Sequence, residues 1–172
     1  MVEKIINLSD AYLDHLVIYI KSGDEDKSTL RGFLDSWFAY SQGGPFLNRN
    51  GKPVWFNRPD PKKKGVRRAL LLMHFISKNA METIQGKRND RLIKEHSIPI
   101  AEIFNILHSH TDHSRDQIRD SLEKFYRLGV LTKKEDLKLK KKKLNSKMPP
   151  DWTTKDGVFA RYDAIGIKNF RI

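Results

Sequence analysis

Residues 98–132 read IPIAEIFNILHSHTDHSRDQIRDSLEKFYRLGVLT, a stretch in which two helical patterns flank a polar, histidine-rich segment. Pro99 suits the first turn of a helix, where its missing N–H is no loss. The apolar residues after it recur every three or four positions and predict one buried helix face. A second pattern begins at Ser114, which can form a capping box with Gln117, and Gly129 follows its end. We therefore predict two helices joined by a short polar turn.

This pair of helices, at 98–107 and 114–128, resembles the helix-turn-helix unit of DNA-binding proteins. The run Leu128–Thr132 resembles the segment in which a winged-helix domain leaves its second helix and enters the wing. The alternation at 137–140 is typical of a second wing strand. The resemblance implies a helix-turn-helix or winged-helix-like unit at about 98–140, with the helix at 114–128 presented to a DNA groove.

The segment after Thr132 has a second interpretation. Thr132 and Glu135 have the spacing of a capping box, which predicts a basic helix over 132–144 in place of a wing. Both interpretations place the same dense lysine cluster on the surface, and the sequence leaves them open.

The histidines between the two helices suggest a metal site as an alternative. His108, His110, Asp112 and His113 spell HxHxDH, which resembles the two-metal ligand motif of metallo-β-lactamase-fold hydrolases. The resemblance implies bound Zn²⁺ with a bridging water as the nucleophile. That family uses at least one further histidine downstream, and this chain has none after His113.

A second nuclease resemblance involves His96. His96 and Pro99 resemble the EHxxP string of HNH-type nucleases, with Asn105 and His113 in the remaining positions. That family carries its histidine on a β-hairpin, whereas residues 100–107 have helical periodicity. A metal-dependent nuclease or hydrolase is therefore the alternative function. In the favoured interpretation we expect no catalytic site and no cofactor.

The rest of the chain also has mainly helical periodicity. Asp10 and the region near Ser28 begin two amphipathic patterns that predict a helical hairpin. The Asn50–Gly51 pair predicts a small β-hairpin at 46–56. Further helices are predicted at 66–84 and 87–95, and the apolar segment 151–172 is expected to pack back on the core. We expect a mainly α, single compact domain over 1–172, with about six or seven helices.

Charge is the strongest signal of function. The net charge is +12, and residues 1–60 contain seven Lys/Arg and eight Asp/Glu, so the whole excess lies in 61–172. Such asymmetry is typical of a protein that binds a polyanion. We expect a near-neutral helical part over 1–60 and a basic helical part over 61–172 that binds nucleic acid, with double-stranded DNA favoured. An acidic protein surface, as in a subunit or inhibitor of a nucleic-acid machine, is the other partner considered.

Basic residues of three segments are the expected phosphate contacts, because lysines without interleaved aromatics suit phosphates better than bases. They are Lys62, Lys63, Lys64, Arg67 and Arg68 in the first segment, Arg115, Arg119, Lys124 and Arg127 in the second, and Lys138, Lys140, Lys141, Lys142, Lys143 and Lys147 in the third.

Other classes are excluded by composition. The chain has no cysteine, so a disulfide scaffold, a thiolate zinc site and a cysteine nucleophile are ruled out. Neither a signal-peptide pattern nor an apolar run of membrane-spanning length is visible. We therefore expect no membrane contact and a cytoplasmic location.

Overall fold

The computed structural model describes residues 7–55, 59–167 and 169–170. The protein is mainly helical with one small sheet, which confirms the predicted class at that level. The chain forms two compact units. Unit 1 comprises Met1–Trp55 and Ile103–Lys124, and unit 2 comprises Phe56–Glu102 and Phe125–Ile172.

Unit 1 is helical. Its first two helices are α1 (Leu8–Ser22) and α2 (Lys27–Gln42), which pack against each other and confirm the predicted helical hairpin. Asn7 caps α1 in place of the predicted Asp10, because its side chain accepts from the Ser9 N–H. A 3-10 helix, Gly44–Phe46, follows α2. Helix α6 (Arg115–Phe125) belongs to this unit except for its last residue, and α5 (Ile100–His108) ends in it.

The β-hairpin predicted at 46–56 is reduced to one bridge, between Leu47 and Pro53. The Asn50–Gly51 turn is present, and Gly51 has a φ of +68°. Backbone bonds from the Asn48 N–H to the Lys52 carbonyl at 2.8 Å and from the Val54 N–H to the Phe46 carbonyl at 2.9 Å flank this bridge. The Asn48 side chain accepts the N–H groups of Asn50 and Lys52 and stabilises the turn. Residue 56 lies outside the described residues.

Unit 2 contains the sheet. Along the chain come α3 (Lys64–Leu71), β1 (Phe75–Ser77), α4 (Lys78–Ile84), β2 (Leu92–His96), β3 (Leu128–Thr132), α7 (Lys133–Lys141), α8 (Ala160–Asp163) and β4 (Asn169–Phe170). The strand order is β2-β3-β1-β4. Strand β3 runs parallel to β1 and antiparallel to β2, and β1 runs antiparallel to β4.

Two predicted helices are wrong. The helix predicted at 66–84 is interrupted by β1, whose three residues are all buried, and helical periodicity does not distinguish a short buried strand from a buried helix face. The helix predicted at 87–95 ends as β2, which pairs with β3 over five residues. Both errors share a cause, since the partner strand lies far away in sequence and stabilises an extended conformation.

The wing interpretation of 137–140 is also wrong, because this segment lies within α7. The Thr132–Glu135 capping box is present in full, so the alternative prediction of a basic helix is confirmed. Strand β3 is the inner partner of both β1 and β2, and a helix follows it where a winged-helix domain would continue into a strand.

Gly129 was expected to end a helix, but it lies within β3 opposite Phe75. A Cβ at this position would lie 2.4 Å from the Phe75 carbonyl oxygen and 2.5 Å from its ring carbons Cδ1 and Cδ2. The close approach of β1 and β3 therefore requires glycine here.

The carboxylate of Glu135 joins the ends of the two parallel strands. Its Oε2 accepts from the Ser77 hydroxyl at 2.6 Å and from the Thr132 N–H at 2.8 Å. Its Oε1 accepts from the Asn79 amide at 2.9 Å. Ser77 and Thr132 are the N-caps of α4 and α7, so one buried side chain fixes the start of both helices.

The C-terminal segment packs back on unit 2, as predicted. Tyr162 and Ile167 belong to its buried apolar cluster. Arg161 is fully buried and donates from Nε to the Ser97 carbonyl at 2.8 Å, and it pairs with Glu95 at 2.5 Å. This arginine is therefore a structural cation.

Gly129→Ala is expected to lower the free energy of unfolding by about 1–3 kcal/mol, because the new methyl group overlaps the Phe75 backbone and ring. Denaturant unfolding of the whole chain measures this. Gly157→Ala is the matched control, since a Cβ there meets nothing within 4 Å. Equal stability of the two variants would contradict the close-approach argument.

His74 predicts a pH dependence of stability. Its ring Nδ1 accepts the Leu128 N–H at 3.0 Å, and the backbone N–H of His74 donates to the Leu128 carbonyl at 2.8 Å. Burial, and then the charge of Arg127, lower the pKa of His74 to about 4. The unfolded chain, with a histidine pKa of about 6.5, binds more protons between these values, so stability is complete above pH 6.5 and falls as the pH drops toward 4.

The expected loss from this residue is about 1–3 kcal/mol over that range, discounted for the partial exposure of the ring. Unfolding of the wild type and His74→Gln near pH 7 and near pH 4.5 measures it. The glutamine variant should lose less stability on acidification. The same loss in both proteins would contradict the assignment of a neutral, half-buried imidazole.

Candidate nucleic-acid interface

The net positive charge of the chain lies in one of the two units. By sequence, unit 1 carries 9 basic and 11 acidic residues, whereas unit 2 carries 24 basic and 10 acidic residues. Their net charges are therefore −2 and +14. The asymmetry is larger than the division at residue 60 indicated, because the inserted segment Ile103–Lys124 belongs to the near-neutral unit.

The end of α7 presents the densest group of cations. Leu139 and Leu144 are buried in the apolar cluster of unit 2 and hold the end of the helix against it. Lys143 has a φ of +58° and Leu144 donates its N–H to the Leu139 carbonyl, so the chain turns immediately after the helix. The lysines between and around these anchors face solvent. They are Lys138, Lys140, Lys141, Lys142, Lys143 and Lys147.

Among these, Lys140 lies 3.5 Å from Asp136, which also pairs with Lys133 at 2.5 Å. The other five have no carboxylate within ion-pair distance in the described part of the chain. We name these five residues, Lys138, Lys141, Lys142, Lys143 and Lys147, the α7 lysine cluster. Their charge is uncompensated locally.

The start of α3 presents a second group of exposed cations, which are Lys62, Lys63, Lys64, Arg67 and Arg68. The nearby carboxylate of Asp60 accepts the backbone N–H of Lys62 at 3.0 Å. No ion pair involves these five side chains within the described residues. All five basic residues predicted in this segment are therefore exposed and available to a ligand.

A cleft of about 940 Å³ lies beside this segment, entirely within unit 2. It is lined by Pro59–Lys62 and Arg67 and by Thr83–Leu92. Five of its lining residues are cations, namely Lys62, Arg67, Lys87, Arg88 and Arg91. Sequence reasoning missed Lys87, Arg88 and Arg91, because their segment was assigned to a charged helix. The Gly86 turn followed by three cations within five residues was the available signal.

Asp90 organises the loop after Gly86 that lines the cleft. Its carboxylate accepts from Lys134 at 2.8 Å and from Arg88 at 2.7 Å, and these two hydrogen bonds lower the pKa of Asp90. The Lys133 N–H also donates to the Arg91 carbonyl at 2.7 Å. The loop is thereby tied to the first turn of α7.

The helix that was predicted to enter a DNA groove is α6, and its arginines face carboxylates. In unit 1, Arg115 of α6 pairs with Asp14 at 3.0 Å and with Asp10 at 3.2 Å, and Arg119 lies 3.7 Å from Asp10. Arg119 also pairs with Asp116 on its own helix at 3.1 Å. Both arginines therefore have carboxylate partners, most of them on α1. In unit 2, Arg127 donates to the Tyr126 carbonyl.

The histidine segment does not assemble the predicted metal site. No group of three or more His, Cys, Asp or Glu side chains in the described residues is arranged to hold a metal ion. His108 shares a hydrogen bond of 2.9 Å with the Phe104 carbonyl, and His110 shares one of 2.6 Å with the Ser121 hydroxyl. Asp112 is exposed. These local hydrogen bonds direct the HxHxDH residues to different partners.

The structure also does not give His96 and Asn105 the positions that the HNH resemblance implies. His96 ends β2 and is buried, with its ring edge-on to Tyr126 at 5.4 Å between centroids. Asn105 lies in α5, where that family would need a loop.

Comparison with known proteins finds no matching family model, curated protein or solved structure. None of the helices in the described residues has the length and apolarity that crossing a membrane requires.

The pairing of the α6 arginines makes a testable prediction. Arg115→Gln with Arg119→Gln should leave affinity for a DNA duplex within about twofold of the wild type, because both guanidinium groups already face carboxylates. Since the side chains are more than a third exposed, the free energy of unfolding should fall by no more than about 1 kcal/mol per arginine. Loss of duplex binding in a folded double variant would instead restore α6 as a contact surface.

Proposed function

We propose that this protein binds nucleic acid, with double-stranded DNA as the favoured form, through phosphate contacts made by unit 2. The observation that carries the proposal is the net charge of +14 on this unit, together with cations that have no acidic partner in the described residues. A surface of this kind attracts a polyanion and releases its counterions on binding.

The chemistry of the α7 lysine cluster suits the phosphate backbone. Each ammonium group is a compact, mobile charge without the rigid fork by which arginine recognises guanine edges. No aromatic residue interrupts 138–147, so base stacking has no platform there. We therefore expect binding that depends strongly on salt and weakly on base sequence.

The proposal does not use α6 as a groove-reading helix. Arg115 and Arg119 are held by carboxylates, and the exposed side chains of Asp116 and Asp120 would face the phosphates with like charge. The helix-turn-helix interpretation therefore adds nothing to the contact surface proposed here. The exposed basic residues of α3 and α7 form that surface.

Charge reversal in the α7 lysine cluster tests the proposal. Lys141→Glu, Lys142→Glu and Lys147→Glu together should lower affinity for a random-sequence duplex by at least about tenfold at about 50 mM salt. The slope of log K against log salt should also decrease in magnitude by about 2.7, since each lost phosphate contact contributes about 0.9. Fluorescence anisotropy of a labelled duplex between about 50 and 200 mM salt measures both quantities.

The control carries the same change of charge on unit 1. Lys21→Glu, Arg49→Glu and Lys52→Glu alter three exposed cations, and Lys21 lies in the last turn of α1 as Lys141 lies in the last turn of α7. Any helix-dipole penalty is thus matched. The control should bind nearly as tightly as the wild type. Absence of wild-type binding at low salt, or equal loss in both variants, would contradict the proposal.

A further inference from the structure

We propose that the cleft of unit 2 is a binding site for a phosphate monoester or polyphosphate group. The site is separate from the α7 lysine cluster, and the inference does not depend on duplex binding. A volume of about 940 Å³ lies within the range of about 300–1,000 Å³ typical of small-ligand sites. The cleft therefore has room for a phosphorylated small molecule or for the end of a nucleic-acid strand.

Arginines distinguish this cleft from the α7 lysine cluster. Arg67 and Arg91 both line the cleft, are exposed and make no ion pair within the described residues. A guanidinium group presents parallel N–H donors that match two oxygens of one phosphate, and two such groups in the lining of one cleft can bind one ligand. Lys62 and Lys87 add two further cations to the lining.

The acidic residues of the cleft do not cancel this charge. Asp90 already accepts from Arg88 and Lys134, and Asp60 accepts the backbone N–H of Lys62. With five cations and these two carboxylates, the lining has a net charge of +3. An anionic ligand is favoured over a neutral or cationic one.

The loop that carries Arg91 is held in place before any ligand binds. The Asp90–Lys134 pair and the hydrogen bond from the Lys133 N–H to the Arg91 carbonyl attach it to α7. On the inner side, Ile84 and Leu92 are buried in the protein core. A fixed wall reduces the conformational entropy lost on binding, so a small anion can bind without the extended contacts that a duplex makes.

Inorganic tripolyphosphate is the probe, because it carries the proposed chemistry and nothing else. Isothermal titration calorimetry with the full chain at low salt should detect binding. Arg67→Gln with Arg91→Gln should weaken it by at least about tenfold, since each removes a charge-assisted bidentate contact. Lys21→Gln with Lys52→Gln removes the same charge from exposed positions of unit 1, outside the cleft and outside the α7 lysine cluster, and should change the affinity by less than about twofold.

The conservative pair Arg67→Lys and Arg91→Lys keeps the charge and removes the fork. It should bind tripolyphosphate with an affinity between those of the wild type and the glutamine pair. It also provides a measurement if the glutamine variant does not fold. No binding by the wild type, or equal weakening by the arginine and lysine glutamine pairs, would overturn the proposal, because the attraction would then be absent or diffuse.

Competition against tripolyphosphate identifies the source of the phosphate group. A single-stranded oligonucleotide with a 5′-phosphate, the same oligonucleotide with a 5′-hydroxyl, and a nucleoside triphosphate are compared. Competition by the 5′-phosphate form over the hydroxyl form supports a nucleic-acid end as the ligand, and competition by the nucleoside triphosphate alone supports a free nucleotide. Competition by none of the three would overturn a phosphate-ester site.

Duplex binding fails or succeeds independently of this result. The α7 lysine variants report on the duplex and the cleft arginine variants report on tripolyphosphate. A protein that binds the duplex and ignores tripolyphosphate loses only the cleft site, and the opposite result removes only the proposed function.

Discussion

The buried carboxylate of Glu135 is the interaction on which the organisation of unit 2 depends. It accepts hydrogen bonds from the ends of two parallel strands and from Asn79 at the start of α4. Parallel strands have no tight turn between them, so their relative position must be fixed by contacts of this kind. Because the carboxylate is buried, losing one of its hydrogen-bond donors would cost stability. The strand ends and the start of α4 must therefore stay close enough to donate to it.

The basic surfaces follow from this anchor. Glu135 fixes the first turn of α7, and that turn supplies Lys133 and Lys134, which hold the loop containing Asp90 and Arg91. The same helix ends in the α7 lysine cluster, where Leu139 and Leu144 fasten it to the apolar core. One short helix therefore positions both the exposed lysines and one wall of the arginine-lined cleft. The two proposed ligand surfaces share Arg67 of α3, whereas the α7 lysine cluster belongs only to the duplex surface and Arg91 only to the cleft.

Local patterns predicted the helices that local interactions stabilise. The hairpin of α1 and α2, the pair α5 and α6, and the capped start of α7 were all visible in spacing and capping residues. Strands β1 and β2 were not predicted, because both pair with β3, which lies far away in the sequence. Phe75 of β1, for example, pairs with Gly129. The same error hid the cleft. Because 87–95 was predicted to be a helix, the sequence did not indicate that Arg91 and Arg67 line one cleft. The predicted metal ligands have the spacing of a known motif in the sequence, but the described structure does not bring their side chains together.

A count of basic residues in the sequence overstates the surface that can bind a polyanion, and the structure separates the cations by their partners. Arg161 is buried against Glu95 and two stretches of backbone, His96–Ser97 and Leu144–Asn145, so its charge is used inside the fold. Arg115 and Arg119 face the carboxylates of α1, an element more than ninety residues away in the chain. Within the described part of unit 2, uncompensated cations are found in α3, in the loop after Gly86 and at the end of α7. Affinity for a polyanion depends on the distance from each cation to the nearest carboxylate, a quantity that only the folded chain defines.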